Sequence, residues 1–263
     1  RVVAIGGPTA TGKTALSVAL AKRFGGEIIS ADSMQIYQGL DVGTAKVTPE
    51  EMQGVPHHLV GFLAPEQAFS VADFTTLAGK TITQLTARGK LPLVVGGTGL
   101  YITSLLNGIG FTPEKVDPAI RQELQARLQA EGSQALYAEL AAVDPGYAAK
   151  VHPNNTPRVI RALELYRATG RKMSAEREAA RPAEKPYRSL CLCLTCRDRT
   201  LLYQRIDTRC DRMMQSGILE EAKLVYDHRD TYRTAAQAIG YKEFFPFFEG
   251  TAALDECADK LKQ

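Results

Sequence analysis

The residues with the clearest chemical signature form a short segment near the start of the chain, Gly7, Pro8, Thr9, Ala10, Thr11, Gly12, Lys13 and Thr14. Their spacing matches the phosphate-binding loop G-x-x-x-x-G-K-[ST], and they lie between a β-branched run and an Ala- and Leu-rich helix, as such a loop must. Glycines let successive backbone N–H groups converge on an anion, and the helix N-terminus adds positive charge. The sequence therefore predicts phosphate binding, with Lys13 as a point charge and the Thr14 hydroxyl as a ligand of Mg²⁺.

The loop does not specify which phosphate compound is bound. ATPases and kinases usually place a carboxylate after a second apolar strand, where it orders the magnesium ion. Here the apolar run 91–95 continues into Gly96, Gly97 and Thr98. The missing carboxylate disfavours an ATPase and leaves room for a diphosphate that is not a nucleotide.

The elements that must position this loop follow the β-α-β-α order of a parallel sheet with helices on both faces. Strands are predicted at 2–5, 27–31, 91–95 and 187–195, and helices at about 13–24 and 71–88. Asp32 ends a strand that we predict to be next to the strand of the loop, so its side chain should face the same cleft.

The strand at 187–195 is apolar on both faces, since Leu190, Leu192 and Leu194 alternate with Cys191 and Cys193. This pattern predicts a central parallel strand. Alternation along a strand is a poor arrangement for metal binding, so Cys191, Cys193 and Cys196 are predicted to be buried thiols. Five cysteines without framework spacing indicate a reducing, cytoplasmic environment.

From Pro113 onward the strand pattern is replaced by helices. Asp117 and Pro118 form one helix start, Ser133 is predicted to cap the next helix, and Thr156 with Pro157 opens a third. The fold class is therefore α/β, a P-loop NTPase-like parallel sheet interrupted by an all-helical insertion. The predicted boundaries are 1–112 and 186–263 for the catalytic core and 113–185 for the insertion.

The charge is unevenly distributed. The whole chain carries a net charge of only +3, but the segment 150–188 has ten Lys/Arg against four acidic residues. Such a segment could bind nucleic acid or form a solvated helix face, and both interpretations stay open at this point. No apolar run approaches the ~20 residues of a membrane helix. Arg1 in place of Met indicates that the native start lies upstream.

Several segments together resemble the family of the tRNA dimethylallyltransferases, also called tRNA isopentenyltransferases. Besides the loop, they are Asp32-Ser33-Met34-Gln35-Ile36-Tyr37, Gly43-Thr44-Ala45-Lys46, Pro56-His57-His58-Leu59, Val95-Gly96-Gly97-Thr98-Gly99-Leu100-Tyr101, Pro157-Arg158-Val159-Ile160-Arg161-Ala162-Leu163-Glu164 and Gln237-Ala238-Ile239-Gly240-Tyr241-Lys242-Glu243. They span nearly the whole chain in order, and the set is far more specific than the loop alone.

The resemblance implies that the loop holds the diphosphate of dimethylallyl diphosphate and that a helical insertion grips the anticodon stem-loop of tRNA. The target adenine then enters the opposite end of a channel. Asp32 resembles the general base, Arg209 a diphosphate ligand and Thr98 a residue that contacts tRNA. The further positions implied to bind tRNA are Asp32, Ser33, Met34, Gln35, Arg121, Pro157, Arg158, Val159, Ile160, Arg161, Gln237, Ala238, Ile239, Gly240, Tyr241 and Lys242. The expected partners are tRNA and dimethylallyl diphosphate, with Mg²⁺ as cofactor and a monomer as the assembly state.

Helical periodicity supports the role of Arg209. Arg205, Arg209 and Arg212 form one stripe of a predicted helix, which borders the apolar stripe instead of opposing it. This position suits the lip of a cleft, although solvated surface arginines would show the same pattern.

Two departures from the family matter. Its members continue beyond Gln263 in a basic segment, so further tRNA contacts are expected there. The zinc finger of the eukaryotic members is absent, which indicates the bacterial type. Two other functions remain as alternatives, a small-molecule kinase using ATP and a non-catalytic RNA-binding module.

Overall fold

The computed structural model describes residues 1–110, 117–180, 182 and 184–262, and these form two compact units. One unit comprises Arg1–Leu106 with Pro186–Gln263, and the other comprises Asn107–Lys185. The predicted start of the insertion at Pro113 lies outside the described residues. None of the helices in the described part has the length and apolar character needed to cross a membrane.

The first unit contains a five-stranded parallel sheet in the order β3-β2-β4-β1-β5, which confirms the predicted fold class. Its strands are β1 (Val2–Gly6), β2 (Gly26–Ser30), β3 (His57–His58), β4 (Leu91–Gly96) and β5 (Ser189–Cys193). Its helices are α1 (Lys13–Phe24), α2 (Pro49–Met52), α3 (Val71–Ala87), α4 (Gly99–Leu106), α10 (Arg199–Gln215), α11 (Ile218–Asp227), α12 (Phe245–Phe248) and α13 (Leu254–Lys262), with 3₁₀ turns at Ala235–Gln237 and Lys242–Phe244.

The strands and helices of the sheet form because each presents apolar side chains to a common core. All residues of β2 are buried, as are Leu93, Val94 and their neighbours in β4. Helix α3 buries a stripe at Phe74, Ala78, Ile82 and Leu85 against the sheet. It begins with the predicted capping box, in which the Ser70 hydroxyl accepts from the backbone N–H of Asp73.

Strand β5 differs from its prediction. It lies at the edge of the sheet next to β1, and most of its residues are exposed. Cys191 and Cys193 are exposed and Cys196 is half-buried, so the prediction of buried thiols is wrong for the first two. Apolar residues on both faces of a strand are compatible with either position in a sheet. The pattern does not specify whether the strand pairs with one neighbouring strand or with two.

The strand order corrects a second prediction. Strand β4 lies between β1 and β2, so the strand that leads to Asp32 is not next to the strand of the phosphate loop. Asp32 nevertheless reaches the same edge, because the carboxyl ends of parallel strands lie together. Leu194 and Thr98 follow β5 and β4 at this edge.

The second unit is helical in its described part and consists of α5 (Pro118–Glu131), α6 (Ser133–Val143), α7 (Pro145–Ala148), α8 (Thr156–Thr169) and α9 (Met173–Ala179). Its core combines Leu124, Leu136, Leu140 and Leu163. The Asp117 side chain caps α5 as predicted. Ser133, in contrast, is the first residue of α6 and makes no capping hydrogen bond, because Gly132 takes the cap position.

A close approach of two backbones at the carboxyl edge depends on Gly96. A Cβ atom at this position would lie 2.1 Å from the carbonyl oxygen of Ala31, the residue before Asp32. The Ala31 N–H donates to the carbonyl of Val95 at 2.8 Å, and the Thr98 N–H donates to the carbonyl of Ala31 at 3.2 Å. Any side chain at Gly96 would therefore push the Asp32 segment away from β4.

We expect Gly96→Ala to lower the free energy of unfolding by about 1–3 kcal/mol, the usual cost of overpacking. Urea unfolding measures the change. Gly97→Ala is the matched control, because a Cβ at Gly97 would meet nothing within 4 Å. Equal stability of the two variants would contradict the close approach.

Candidate functional site

The phosphate loop connects β1 to α1 and has the backbone conformation of an anion cradle. Ala10 has φ 62° and Gly12 has φ 85°, so left-handed residues alternate along the loop and turn its N–H groups inward. The Thr11 hydroxyl donates to the carbonyl of Pro8 at 2.8 Å, which closes the loop on itself. Gly12 is the cap residue of α1 and has no side chain to accept from the first helical turn, so an anion can take that place.

Lys13 folds back over this loop. Its ammonium donates to the carbonyl oxygens of Gly7 at 2.9 Å and Pro8 at 2.6 Å. Burial lowers the pKa of Lys13, and the nearby Arg209 guanidinium lowers it further, whereas Asp32 opposes this effect. Arg209 and Asp32 are therefore the two charged groups that act on the Lys13 ammonium.

Arg209 comes from the middle of α10, on the boundary of its buried face as predicted. It is half-buried, whereas Arg205 and Arg212 of the same stripe are exposed. Burial lowers the pKa of Arg209, and Asp32 is among the groups that oppose the shift. Its guanidinium forms no hydrogen bond or ion pair with the described residues, so its donors remain free for an anion.

Asp32 is held in place by the turn that it begins. Its Oδ1 accepts hydrogen bonds from the backbone N–H groups of Met34 at 2.9 Å and Gln35 at 3.3 Å. These bonds fix the carboxylate and occupy one oxygen. The second oxygen has no hydrogen-bond partner among the described residues.

Thr98 joins the end of β4 to the Asp32 turn. Its hydroxyl oxygen accepts from the backbone N–H of Ser33 at 3.1 Å and lies 3.4 Å from the Ser33 hydroxyl. Because Thr98 is half-buried, it can touch a ligand and support the turn at once. The structure thus brings Asp32, Ser33 and Thr98 together.

The Gly43-Thr44-Ala45-Lys46 segment is fixed by a carboxylate that sequence reasoning missed. Glu221 of α11 accepts from the backbone N–H groups of Asp41 at 2.7 Å, Val42 at 3.0 Å and Gly43 at 2.8 Å. It also accepts from the Tyr241 hydroxyl at 2.6 Å. Burial and the Glu221 carboxylate raise the pKa of Tyr241, so the phenol stays a donor.

The anchored segment 43–46 is hydrogen-bonded to the turn that begins at Asp32. The Gln35 side-chain amide donates to the carbonyl of Ala45 at 3.0 Å. The backbone N–H of the same Gln35 donates to Asp32, so Gln35 connects the segment to the carboxylate. Glu221 therefore supports the position of Asp32 indirectly, through the segment 43–46 and through Gln35. No local motif marks Glu221, because its contacts lie about 180 residues away in sequence.

The segment 237–242 is half exposed. Gln237, Ile239 and Lys242 face solvent, and Ile239 is 72% exposed although it is apolar. Ala238 and Tyr241 belong to the core. Any contact of those two residues with RNA is thus limited to backbone atoms.

The remaining predicted RNA contacts lie in the helical unit. Arg121 of α5 and Arg161 of α8 are about half exposed and both bond Glu164. Pro157 and Arg158 are exposed at the start of α8. The last two predicted positions, Val159 and Ile160, are both buried in the core of this unit. Ile160 also lines a cleft of about 530 Å³ between α5 and α8, next to Arg121.

Candidate metal ligands do not cluster in the described part of the chain. Among the described residues no three His, Cys, Asp or Glu side chains form a cluster that could hold a metal ion. His58 instead bonds Glu27 at 2.7 Å, and the His57 ring bonds the carbonyl of Val55 at 2.9 Å. Both histidines therefore have structural partners.

Known protein families and relatives match the chain over its whole length. The chain matches the family model described as IPP transferase over residues 35–263 and the model described as isopentenyl transferase over residues 1–60. A tRNA dimethylallyltransferase of Bacillus subtilis is 50% identical over 262 residues, which are 100% of this chain and 83% of that protein.

Solved structures give the same result. The crystal structure of a tRNA isopentenylpyrophosphate transferase from Bacillus halodurans superposes with a TM-score of 0.69 at 45% identity, covering 100% of this chain and 82% of that one. A eukaryotic dimethylallyltransferase acting on tRNA gives a TM-score of 0.78 at 32% identity, covering 99% of this chain and 66% of that one. On sequence and fold, the chain belongs to the IPP transferase family, and the relatives that it matches here are tRNA-modifying members of bacterial and eukaryotic origin.

Proposed function

We propose that this protein transfers a dimethylallyl group from dimethylallyl diphosphate to N6 of the adenosine 3′ to the anticodon in tRNA. The products are N6-isopentenyladenosine and pyrophosphate. The observation that carries the proposal is the phosphate loop at the carboxyl edge of the sheet, with Lys13 folded onto its Gly7 and Pro8 carbonyls. The charges of Arg209 and Asp32 also act on this lysine. The matching relatives are named for the same transfer to tRNA.

The phosphate loop binds the leaving group in this proposal. Positive charge develops on the allylic carbon as its bond to the diphosphate oxygen breaks, and negative charge develops on the departing pyrophosphate. Fixed N–H groups and the two cations stabilise that anion where it forms. A loop common in phosphoryl transfer suits this reaction, because the charge to be stabilised is the same.

Asp32 acts at the other end of the new bond. The exocyclic amine of adenine has a delocalised lone pair and must lose a proton as the carbon–nitrogen bond forms. The Asp32 oxygen that makes no hydrogen bond with the described residues accepts that proton, while the oxygen bonded to Met34 and Gln35 keeps the carboxylate in place. Thr98 and Ser33 border the same position and contact the tRNA.

A magnesium ion fits beside the loop. The Thr14 residue is exposed in the first turn of α1, and its hydroxyl donates to none of the described residues. Mg²⁺ prefers oxygen ligands and usually combines one or two protein ligands with phosphate oxygens and water. When bound, the ion would neutralise charge on the diphosphate.

The helical unit and the segment 237–242 bind the anticodon stem-loop. Arg121, Arg158 and Arg161 supply exposed guanidinium groups for phosphates, and Gln237, Ile239 and Lys242 supply the exposed side chains of the second segment. Because the adenine must leave its stack to meet Asp32, the enzyme extrudes the base. We further propose that the protein acts as a monomer in the cytoplasm, where its acceptor is found.

The kinase alternative has no support beyond the loop itself. After β4 the chain continues through Gly96 and Gly97 to Thr98, without a carboxylate that could order a nucleotide-bound metal ion. The family match also disfavours it. A module that only binds RNA would need neither the free guanidinium of Arg209 nor the intact loop.

A direct assay tests the transfer. The protein is incubated with Mg²⁺, unmodified tRNA and dimethylallyl diphosphate, and the anticodon fragment is weighed by mass spectrometry. We expect a gain of one dimethylallyl group on the adenosine. Unmodified tRNA together with ATP turnover in the absence of RNA would support the kinase instead.

Asp32→Asn tests the general base. Asparagine keeps an oxygen for the N–H groups of Met34 and Gln35 but cannot take the proton. We expect the transfer rate to fall by at least about 10²-fold, with tRNA affinity within a few-fold of the parent. Parent-like rates would remove Asp32 from the mechanism.

Arg209→Ala tests the leaving-group contact. We expect the KM for dimethylallyl diphosphate to rise and kcat to fall, together by at least about 10²-fold in kcat/KM, because a donor to the developing anion is lost. Affinity for tRNA should stay unchanged. Arg212→Ala, on the same helix but exposed, is the matched control. A defect confined to tRNA binding would assign Arg209 to the wrong substrate.

A further inference from the structure

Glu164 is a charged residue in the core of the helical unit. It lies in α8 between the buried Leu163 and Leu165, and it is only 5% exposed. A carboxylate in such surroundings is costly unless it is paired with cations and hydrogen-bonded. Its partners therefore show what the position serves.

Both partners are arginines implied to bind tRNA. Arg121 reaches across from α5 and donates from Nε to Oε1 at 3.0 Å and from Nη2 to Oε2 at 3.1 Å. Arg161, one turn earlier on α8, donates from Nη1 to Oε2 at 2.8 Å. The two-pronged contact fixes the plane of the Arg121 guanidinium, and the third bond brings Arg161 to the same carboxylate.

Each arginine keeps most of its hydrogen-bonding capacity. Arg121 uses two of its five N–H groups on Glu164, and Arg161 uses one. Their side chains remain 51% and 46% exposed. The two arginines are thus anchored on Glu164, and their remaining N–H donors face solvent.

Two other arginines of this unit show the contrast. Arg127 and Arg167 each make three hydrogen bonds to glutamates of α5 and α6, and their side chains are only 28% and 25% exposed. They connect the helices to one another. Arg121 and Arg161 converge on one buried carboxylate and leave their remaining donors outside.

We propose that Glu164 is a positioning residue for tRNA binding, which holds Arg121 and Arg161 as a preformed pair of contacts for backbone phosphates. The inference rests on the proposed function, because it needs RNA as the ligand. Because the two long side chains are already ordered in the free protein, less conformational entropy is lost when RNA binds. A guanidinium fork held in one plane also matches the geometry of phosphate oxygens.

The sign of the effect separates positioning from simple electrostatics. Glu164 adds a negative charge beneath a surface proposed to bind a polyanion, so charge alone predicts that its removal strengthens binding. Positioning predicts the opposite, because the two guanidinium groups lose their common anchor.

The experiment compares Glu164→Gln with Glu123→Gln in the full chain. Glu123 lies on the same unit, is 61% exposed and pairs with Arg167, so its variant makes the same change in charge without touching the pair. Affinity for an anticodon stem-loop RNA is measured by fluorescence anisotropy at fixed salt, and steady-state kinetics give both KM values.

We expect Glu164→Gln to weaken RNA binding about tenfold, the size expected for leaving two arginine side chains to be ordered on binding. The KM for tRNA should rise in parallel, with the KM for dimethylallyl diphosphate and kcat at saturating tRNA within about twofold. Glu123→Gln should bind RNA as the parent does or more tightly. Binding of Glu164→Gln at or above the parent's affinity would overturn the inference.

A variant cycle excludes a general structural effect. In an Arg121→Gln/Arg161→Gln background, Glu164→Gln should change RNA affinity by less than about twofold, because nothing remains to be positioned. A further loss in that background would overturn the inference in favour of a purely structural carboxylate.

Arg121→Lys covers the case in which Glu164→Gln does not fold. Lysine keeps the charge but not the fork, so RNA binding should still weaken several-fold. Parent-like affinity of this variant would count against positioning. Failure of the parent chain itself to bind the RNA would overturn the proposed function as well, whereas parent binding with unaffected variants overturns this inference alone.

Discussion

The site depends on a local excess of positive charge that the protein does not neutralise by itself. The Arg209 guanidinium acts electrostatically on Lys13, both side chains are partly withdrawn from water, and the carboxylate that acts on both is Asp32. Two cations in such a position favour an anion with more than one charge. A diphosphate meets this requirement, and in the proposed reaction it meets it best as it departs and its charge increases.

The three charged groups come from distant parts of the chain, so the fold must bring them together. Lys13 begins α1, Asp32 follows β2 and Arg209 lies within α10. The parallel sheet places the first two at one edge, and the absence of a side chain at Gly96 lets the Asp32 segment lie against β4. Thr98, Gln35 and Glu221 then fix that segment by hydrogen bonds to backbone groups. These hydrogen bonds fix the backbone around Asp32 and do not use the cations Lys13 and Arg209, which can therefore bind a substrate.

Much of this arrangement was predictable from sequence, because phosphate loops, capping boxes and helical stripes are local patterns. The loop 7–14, the cap at Ser70 and the boundary position of Arg209 all follow from residue spacing. Strand order does not. The apolar run 187–195 predicts a central strand, but the observed strand β5 lies at the edge. Strand β4 separates the strand of the phosphate loop from the strand that leads to Asp32, which the sequence predicts to be neighbours. Sheet order is set by non-local packing, which one strand's composition does not encode.

The partners of the two carboxylates that position other residues could not be predicted from the sequence, although Glu164 ends the motif 157–164. Glu221 and Glu164 resemble ordinary helical glutamates until their partners are seen, since one bonds backbone groups near residue 42 and the other an arginine 43 residues away. In the segment 237–242 the sequence predicts too much. All six residues are implied to bind tRNA, but the structure divides them into exposed residues and core residues.

The most direct test of the account is a crystal structure with a non-reactive thio analogue of dimethylallyl diphosphate and an anticodon stem-loop RNA. We expect the diphosphate to lie on the N–H groups of the loop, in contact with Lys13 and Arg209. The allylic carbon should then lie in line between the leaving oxygen and the adenine amine, with Asp32 hydrogen-bonded to that amine. An isoprenoid tail directed away from Asp32, with no room for a nucleobase between them, would contradict it.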